Sequence, residues 1–550
     1  MKKNYILILS LIVSLSITAQ TTEYKWQWAK SGGTPIFNTY SNPTSQTPLY
    51  PKMEQVKYTF VDKNDNIYFG AQIGGGDEPH YYAMFNGQPV STNNMYNSNG
   101  NITYTDVFIA SVDCDGNSRW NYVVGSRDTD FINGMGMDTL GGVYAAIDVS
   151  PFDETFFGNN DTVLYANING PMENKVCHYN VTILKLDTLG NFQWIHQPEG
   201  VLPTGVIDGS HCFILGFAVE PDGNIHLLLQ NYMPQTFENG QVVIDDAMLA
   251  QSDMMVMKYN SSGQFLGVVH LPVHDLKSIY EENPFYFKYS VAANCYYLAG
   301  RPAYLSRAII AGDTVYGNGY YSPNIYTDAE SYVAAFDANT GNHKWHHIGK
   351  PGISINGTTN GISASVMYSV DTDQVGNIYV NTIAREFEAN SVSDSAKYRT
   401  IKISPVGYIV WSYNSSKKVD QRDVLVWNNN EISGFGNIEY LYIDGQMKPA
   451  YLTKQSEWII SRHSASTGTQ LSYDTWLSEP YNNGITAYTN SPVCGAVDLH
   501  GNYVFGGAIG TKFYLGADST ILLENSGSMK DADFWIGKYG QYTCSDPIEP

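Results

Sequence analysis

The sequence predicts an all-β chain: a single seven-bladed β-propeller of four-stranded antiparallel blades, closed by an N-terminal strand. Three observations lead there. Two hairpin phrases recur along the whole of its 550 residues. Their apolar residues alternate, so each strand has one face to bury. The last copy lacks its final strand, and a strand of the right type stands unattached near the amino terminus.

The first phrase is an apolar strand, a polar turn and an aromatic strand. It reads Val107-Phe-Ile-Ala-Ser-Val-Asp113 with Gly116-Asn117 and Trp120, then Val181 to Asp187 with Gly190-Asn191 and Trp194. It returns as Met254 to Asn260 with Gly263 and Phe265, and as Tyr332 to Asp337 with Gly341 and Trp345. Arg399 to Ser404 with Gly407 and Trp411 is the fifth copy, and Trp458 to His463 with Gly468 and Leu471 the sixth. A seventh, Phe534-Trp-Ile-Gly-Lys-Tyr539, stops at Gly540. The turn glycines are 74, 73, 78, 66 and 61 residues apart.

Before each copy stands a second hairpin with Gly or Asn in its turn and aromatics in its second strand. Examples are Phe60-Val-Asp62 to Asn66-Ile67-Tyr68, Gly136-Met-Asp138 to Gly142-Val143-Tyr144, and Ala496-Val-Asp498 to Gly501-Asn502-Tyr503. Such short turns need φ > 0, which these residues tolerate. Two hairpins make a four-stranded sheet, and seven sheets arranged radially make a propeller. The units run 57–126, 131–200, 213–272, 287–352, 366–416, 424–476 and 494–541. A compact blade needs only about 40–50 residues. The surplus, at stretches such as 76–105 and 148–180, is expected to project as long polar loops.

Tyr24-Lys-Trp-Gln-Trp-Ala-Lys30 supplies the missing strand. Trp26 and Trp28 are therefore expected beside Phe534 and Ile536, closing the ring and removing open sheet edges. The domain spans 20–541, and 542–550 is a tail.

Residues 1–19 read as a secretory signal peptide: Met1-Lys2-Lys3, an apolar run from Tyr5 to Ile17, and an exit at Ala19. No later run is long enough to span a bilayer. The expected location is secreted, cell-surface or periplasmic. Charged residues make up 15% and the net charge is −22. That excludes a nucleic-acid partner, whose phosphates need a basic surface, and docking on anionic lipid. Six cysteines without a CxxC spacing point to structural roles. The preferred pairing is Cys494 with Cys544, which would tie down the C-terminus.

On these residues the chain resembles the SBBP-type propeller repeats of bacterial exported proteins, whose units read roughly "VDxxGNIYVxG" and then "DxFIAKYDxxGNxxW". Gly376-Asn377-Ile378-Tyr379-Val380 and Asp106-Val107-Phe108-Ile109-Ala110 match closely, and the resemblance covers about 24–541. Leu425 to Ile432 departs from it, lacking the Asp and the Gly. The leader and the Tyr- and Asn-rich composition look like a Bacteroidetes protein. Such proteins often carry a type IX sorting domain; Ser545 to Pro550 reads as the start of a linker, which fits either a chain that continues or a protein that stays in the periplasm.

Asp337, Thr340, Gly341 and Trp345 fit the "AxDxxTGxxxW" docking motif of quinoprotein-type propellers. In that family the Trp stacks between blades while the Asp and Thr fix the turn. One full motif in seven, and no adjacent Cys pair, favour structural docking over a quinone cofactor. Asp113-Cys-Asp115-Gly-Asn117, Asp371-Thr-Asp373 and Asp62-Lys-Asn64-Asp65-Asn66 resemble fragments of calcium loops. They lack the bidentate Glu of an EF-hand, and turns want these residues for backbone reasons. No cofactor is expected, with calcium the alternative. His346 and His347 should point to opposite faces of a strand.

No catalytic motif stands out. The expected function is a non-catalytic binding, adhesion or scaffold module. It would contact a protein or glycan through its loops, whose aromatics include Tyr81-Tyr82 and Tyr320-Tyr321. The alternative is a polysaccharide hydrolase or lyase with titratable groups converging at the channel mouth. A third reading is a periplasmic assembly subunit with a large apolar patch.

Overall fold

Antiparallel strands account for almost all of the described chain. The structure is a computed structural model, which describes residues 23–33, 54–74, 83–92, 105–126, 130–149, 154–158, 162–165, 180–198, 212–274, 285–302, 306–317, 330–349, 362–386, 395–414, 420–438, 440–443, 446–449, 456–478, 491–510, 512–515, 521–524 and 533–545. Among these, no helix is long and apolar enough to cross a membrane. The fold is propeller-like.

Among the described residues, most strands fall into seven four-stranded groups. Sheet one is Gln55–Val61, Ile67–Ile73, Asp106–Val112 and Ser118–Gly125. Sheet two is Phe131–Met137, Val143–Val149, Asn180–Leu186 and Phe192–His196; sheet three is Cys212–Val219, Ile225–Asn231, Met254–Tyr259 and Phe265–Leu271. Sheet four is Phe285–Ser290, Cys295–Gly300, Ser331–Asp337 and His343–Gly349; sheet five is Ile362–Thr372, Ile378–Glu386, Ser395–Ile403 and Ile409–Asn414. Sheet six is Asp420–Asn428, Glu431–Ile438, Ser456–Ser464 and Gln470–Ser478. Sheet seven is Ser491–Val497, Tyr503–Ile509, Asp533–Gly540 and, as its fourth strand, Lys25–Gly33. The first strand of each sheet lies beside those of its neighbours, and Ser491–Val497 lies beside Gln55–Val61.

Turn chemistry explains why the hairpins form. The first turn of each unit places one residue at positive φ: Asp65, Gly141, Gly223, Asn294, Gly376, Asn429 and Gly501. Where Gly is absent, Asp or Asn takes its place, because these bear a left-handed backbone best among the rest. Asn429 thus rescues the hairpin of unit six, the unit that departs from the repeat. The second turn uses Gly116, Gly190, Gly263, Gly341, Gly407 and Gly468, all at positive φ.

Middle strands are buried end to end. Every residue of Ile67–Ile73, Val143–Val149 and Tyr503–Ile509 is buried, because a neighbouring sheet covers each face. The apolar core is accordingly a series of clusters, one at each junction. Ile109 of sheet one packs with Val143 and Ile147 of sheet two. Trp28, Phe534 and Ile536 of sheet seven pack with Phe69 and Phe108 of sheet one. Trp26 and Trp535 of sheet seven pack with Phe435 and Trp458 of sheet six.

The surplus between hairpins does not simply project. Ala83–Phe85 and Gln88–Val90, from the insert of unit one, extend sheet seven by pairing with Gly32 and Gly33. Glu154–Phe157, from unit two, pairs with the outer strand of sheet one. Lys512–Leu515, from unit seven, pairs with that of sheet six at Ser478. Backbone groups at an outer edge need partners, and the next unit's insert supplies them.

Cys544 is joined to Cys114 rather than to Cys494. Cys494 lies on the first strand of sheet seven, half-buried, its thiol against the Val56 and Gly506 carbonyls. Cys114 sits in the second turn of unit one, beside which the tail passes.

Candidate functional site

The two ends of the sheets differ by construction. At one end lie the tight turns of both hairpins. Every longer connection, whether an insert or a link between units, leaves from the other end, as antiparallel pairing requires.

At the turn end the polar groups are committed to the fold. Asp113 Oδ1 accepts from the amides of Asp115 and Asn117 at 3.0 and 2.8 Å. Asp62 Oδ1 accepts from the Asn64 and Asn66 amides, while its Oδ2 takes the Tyr68 hydroxyl at 2.9 Å. Asp373 repeats this with Val375, Asn377 and Tyr379. These carboxylates act as Asx-turn acceptors.

One register unites the docking residues. In every sheet a bulge near the end of the third strand leaves one extra residue on the fourth. Just beyond it stand Trp28, Trp120, Trp194, Trp345 and Trp411. Each indole N–H donates to a carbonyl in the next unit's second turn: Cys114 (2.8 Å), Thr188 (2.9 Å), Ser261 (3.3 Å), Pro405 (2.9 Å) and Ala465 (3.2 Å). The turn glycine lies under the ring; a Cβ at Gly116 would come within 2.7 Å of Trp28, and one at Gly407 within 2.7 Å of Trp345. Asp337 Oδ1 accepts from the amide and the hydroxyl of Thr340, each at 3.0 Å. Phe265 and Leu471 stand earlier in their strands, so the bulge leaves Gly267 and Ser472 in the tryptophan position.

The N-terminal strand follows the same register without a turn to impose it. Trp26 pairs with Tyr539, Trp28 with Lys538, Lys30 with Ile536 and Gly32 with Phe534. Third-strand lysines add a second tie to the next unit: Lys185 to the Ser261 carbonyl (2.9 Å), Lys258 to Ala338 (2.7 Å) and Lys402 to Ala465 (3.0 Å). Lys538 differs. Fully buried, it is paired with Asp498 and lies 3.4 Å from Asp65 and 2.8 Å from Cys114 Sγ.

Donor atoms of Asp65, Cys114 and Cys544 fall within 4.8 Å of one another. The two sulfurs are bonded to each other and Lys538 occupies the third side, so this set is committed in the oxidised chain. His346 Nδ1 meets His343 Nε2 at 2.9 Å and its Nε2 meets Asp313 at 3.0 Å, while His347 Nε2 reaches the Gly407 carbonyl at 2.8 Å. The adjoining pair thus serves two different surfaces.

At the loop-bearing end, near the axis, one group stands out. Asp148 is 3% exposed, near the end of the second strand of sheet two. Burial pushes its carboxyl up to about 8, against the Asn133 amide at 2.6 Å, the charge of Lys57 and the Ile214 backbone. Asn133 and Lys57 are both extra residues at bulges in their first strands, and bulges re-aim side chains in this way. Sequence reasoning passed over Asp148. The signal available was a single carboxylate inside the apolar run Val143 to Val149. Tyr81-Tyr82 and Tyr320-Tyr321 lie outside the described residues.

No family model and no curated protein matches the chain. Solved structures similar to it include a member of the DUF4221 family from Bacteroides vulgatus, at 10% identity and a TM-score of 0.31, covering 76% of this chain and 96% of that one. Another is the quinohemoprotein alcohol dehydrogenase of Comamonas testosteroni, at 10% identity and a TM-score of 0.26, covering 76% of each chain. Both are β-propeller-type folds; the architecture described above rests on the strand pairings of this chain.

Proposed function

We propose that the protein is an exported, closed seven-bladed propeller that binds a protein or glycan, without turning it over, through the segments at its loop-bearing end. The leader and the SBBP-type phrases support export, and the Lys25–Gly33 strand beside Asp533–Gly540 supports closure. One observation carries the binding reading. The turn end is a lattice of hydrogen bonds within and between units, so sequence freedom is concentrated at the opposite end, where all the longer connections emerge. Scaffolds that hold variable connections on a rigid frame place recognition there. No cofactor enters this reading.

The test is a glycan array and a parallel polysaccharide-turnover assay on residues 21–550. Retention without product is expected, and product formation would overturn the reading. A hydrolase or lyase has one observation in its favour, the buried Asp148 carboxyl, pushed up to about 8, since raised carboxyl groups serve as general acids. If product forms, Asp148→Asn would abolish it under that reading and leave it unchanged otherwise.

A further inference from the structure

The continuous chain crosses every junction between neighbouring sheets, passing from sheet seven to sheet one between Gly33 and Gln55. The two chain ends meet inside sheet seven, where the C-terminal strand Asp533–Gly540 pairs with the N-terminal strand Lys25–Gly33. Among the described residues one disulfide fastens the tail beyond this seam: Cys544 to Cys114 of unit one, 430 residues apart. The tail is laid in place beside it. The Tyr542 amide donates to Asn502 Oδ1 at 3.1 Å, and both Asn502 Nδ2 and Gln27 donate to the Tyr542 carbonyl.

We propose that Cys114–Cys544 is a thiol–disulfide exchange site whose substrate is an external thiol, and whose opening unfastens the seam between the chain ends. The two sulfurs are not equivalent. Cys544 stands between the exposed residues Thr543 and Ser545, so a thiolate reaches it from solvent. Both cysteines are half-buried, but Lys538 Nζ, 3.9 Å from Cys544 Sγ, lies much closer to Cys114 Sγ. Lys538 Nζ donates to it at 2.8 Å, Asp65 Oδ2 is 2.6 Å away, and the Lys538 charge is shared with Asp498. Displacement at sulfur is in line with the bond that breaks, so attack from solvent on Cys544 drives out Cys114. The external thiolate forms a new S–S bond to Cys544 Sγ. The Cys114–Cys544 bond breaks, and its electron pair leaves on Cys114 Sγ, where the Lys538 N–H receives it. Once that sulfur takes a proton from water, Asp65 Oδ2 is placed to accept it as a hydrogen bond. A second equivalent of thiol attacks the mixed disulfide, releasing Cys544 as a thiol and the substrate as its own disulfide. Positive charge beside a thiolate is what makes a sulfur a good leaving group. This inference concerns the seam and is independent of the binding reading.

The experiment uses the purified full chain and glutathione, a monothiol. After brief exposure, acid quench and alkylation, peptide mass mapping locates the adduct. Glutathione on Cys544 with alkylated Cys114 should exceed the reverse isomer at least tenfold. Equal or reversed labelling overturns the proposed direction of attack, and a mapped pairing other than Cys114–Cys544 overturns the site. Hydrogen exchange then tests unfastening without any variant. Reduction should accelerate exchange in Lys25–Gly33 and Asp533–Gly540 at least tenfold while leaving Ile409–Asn414 and Ser456–Ser464 within twofold. Equal behaviour of the two regions refutes it.

Discussion

The junction of sheets five and six and that of sheets seven and one are built on the same register yet secured differently. Both use a fourth-strand tryptophan donating to the next turn, Trp411 to Ala465 and Trp28 to Cys114. Both set a third-strand lysine beneath it. At the first junction Lys402 ends on the Ala465 carbonyl, and continuous backbone does the rest. At the second, sheet seven itself is assembled from the two chain ends, Asp533–Gly540 beside Lys25–Gly33, and the chain compensates. The Asp65 carboxylate accepts from the Leu499 amide at 3.1 Å, Lys538 is buried between two carboxylates, and a disulfide joins the tail to unit one. A non-covalent strand lost from a ring costs its whole edge pairing at once. Extra ties accumulate where that loss is easiest.

Several changes would break or sharpen this comparison. The largest effect is expected from deleting residues 23–33, which removes the fourth strand of sheet seven and both faces that Trp26 and Trp28 cover. Thermal unfolding should begin earlier than in any point variant below; an unchanged melting temperature would refute closure. Trp28→Ala should cost about 3–5 kcal/mol, as for other buried aromatic truncations. Trp411→Ala should cost less, since its ring is only half-buried. Equal losses in urea titrations would show that the two junctions bear equal weight. Cys544→Ser should lower stability by about 2–4 kcal/mol, through freedom returned to the unfolded chain. Gly116→Ala and Gly468→Ala should each cost at least about 1–2 kcal/mol for the left-handed backbone, with the ring contact added.

The last test lies away from both junctions and is read as a pH dependence. Burial pushes the Asp148 carboxyl up to about 8, from an ordinary 3.8 when unfolded. The folded state therefore binds more protons across that window, and stability falls as pH rises through it. His463 has the opposite sense. Burial depresses its ring to about 4 from 6.5, so stability falls as pH drops between those values. Asp148→Asn should flatten the alkaline arm and leave the acid arm in place; denaturant melts from pH 4 to 9 would show this.

Much of the fold was legible because turns are local. Gly116, Gly190 and Gly263 announce hairpins through φ alone, and alternation assigns the faces. The site was less legible. Asp148 looks like any strand residue until the sheets on either side remove its water. Lys538 reads as one more lysine of a repeat until Cys114 and Cys544 arrive beside it. Pairing among cysteines depends on which turns meet in space, so Cys494 could not be told from Cys114 by spacing.

The sequence by itself determined the strands, their turns, the repeat and the missing fourth strand of the last unit, because each depends on residues within a few positions of one another. Tertiary structure decided the rest: which cysteine Cys544 meets, where the inserts pair, which tryptophans reach a neighbour, and why one carboxyl keeps its proton. These depend on distance and on exclusion of water between residues far apart in the chain, and only the assembled sheets impose either.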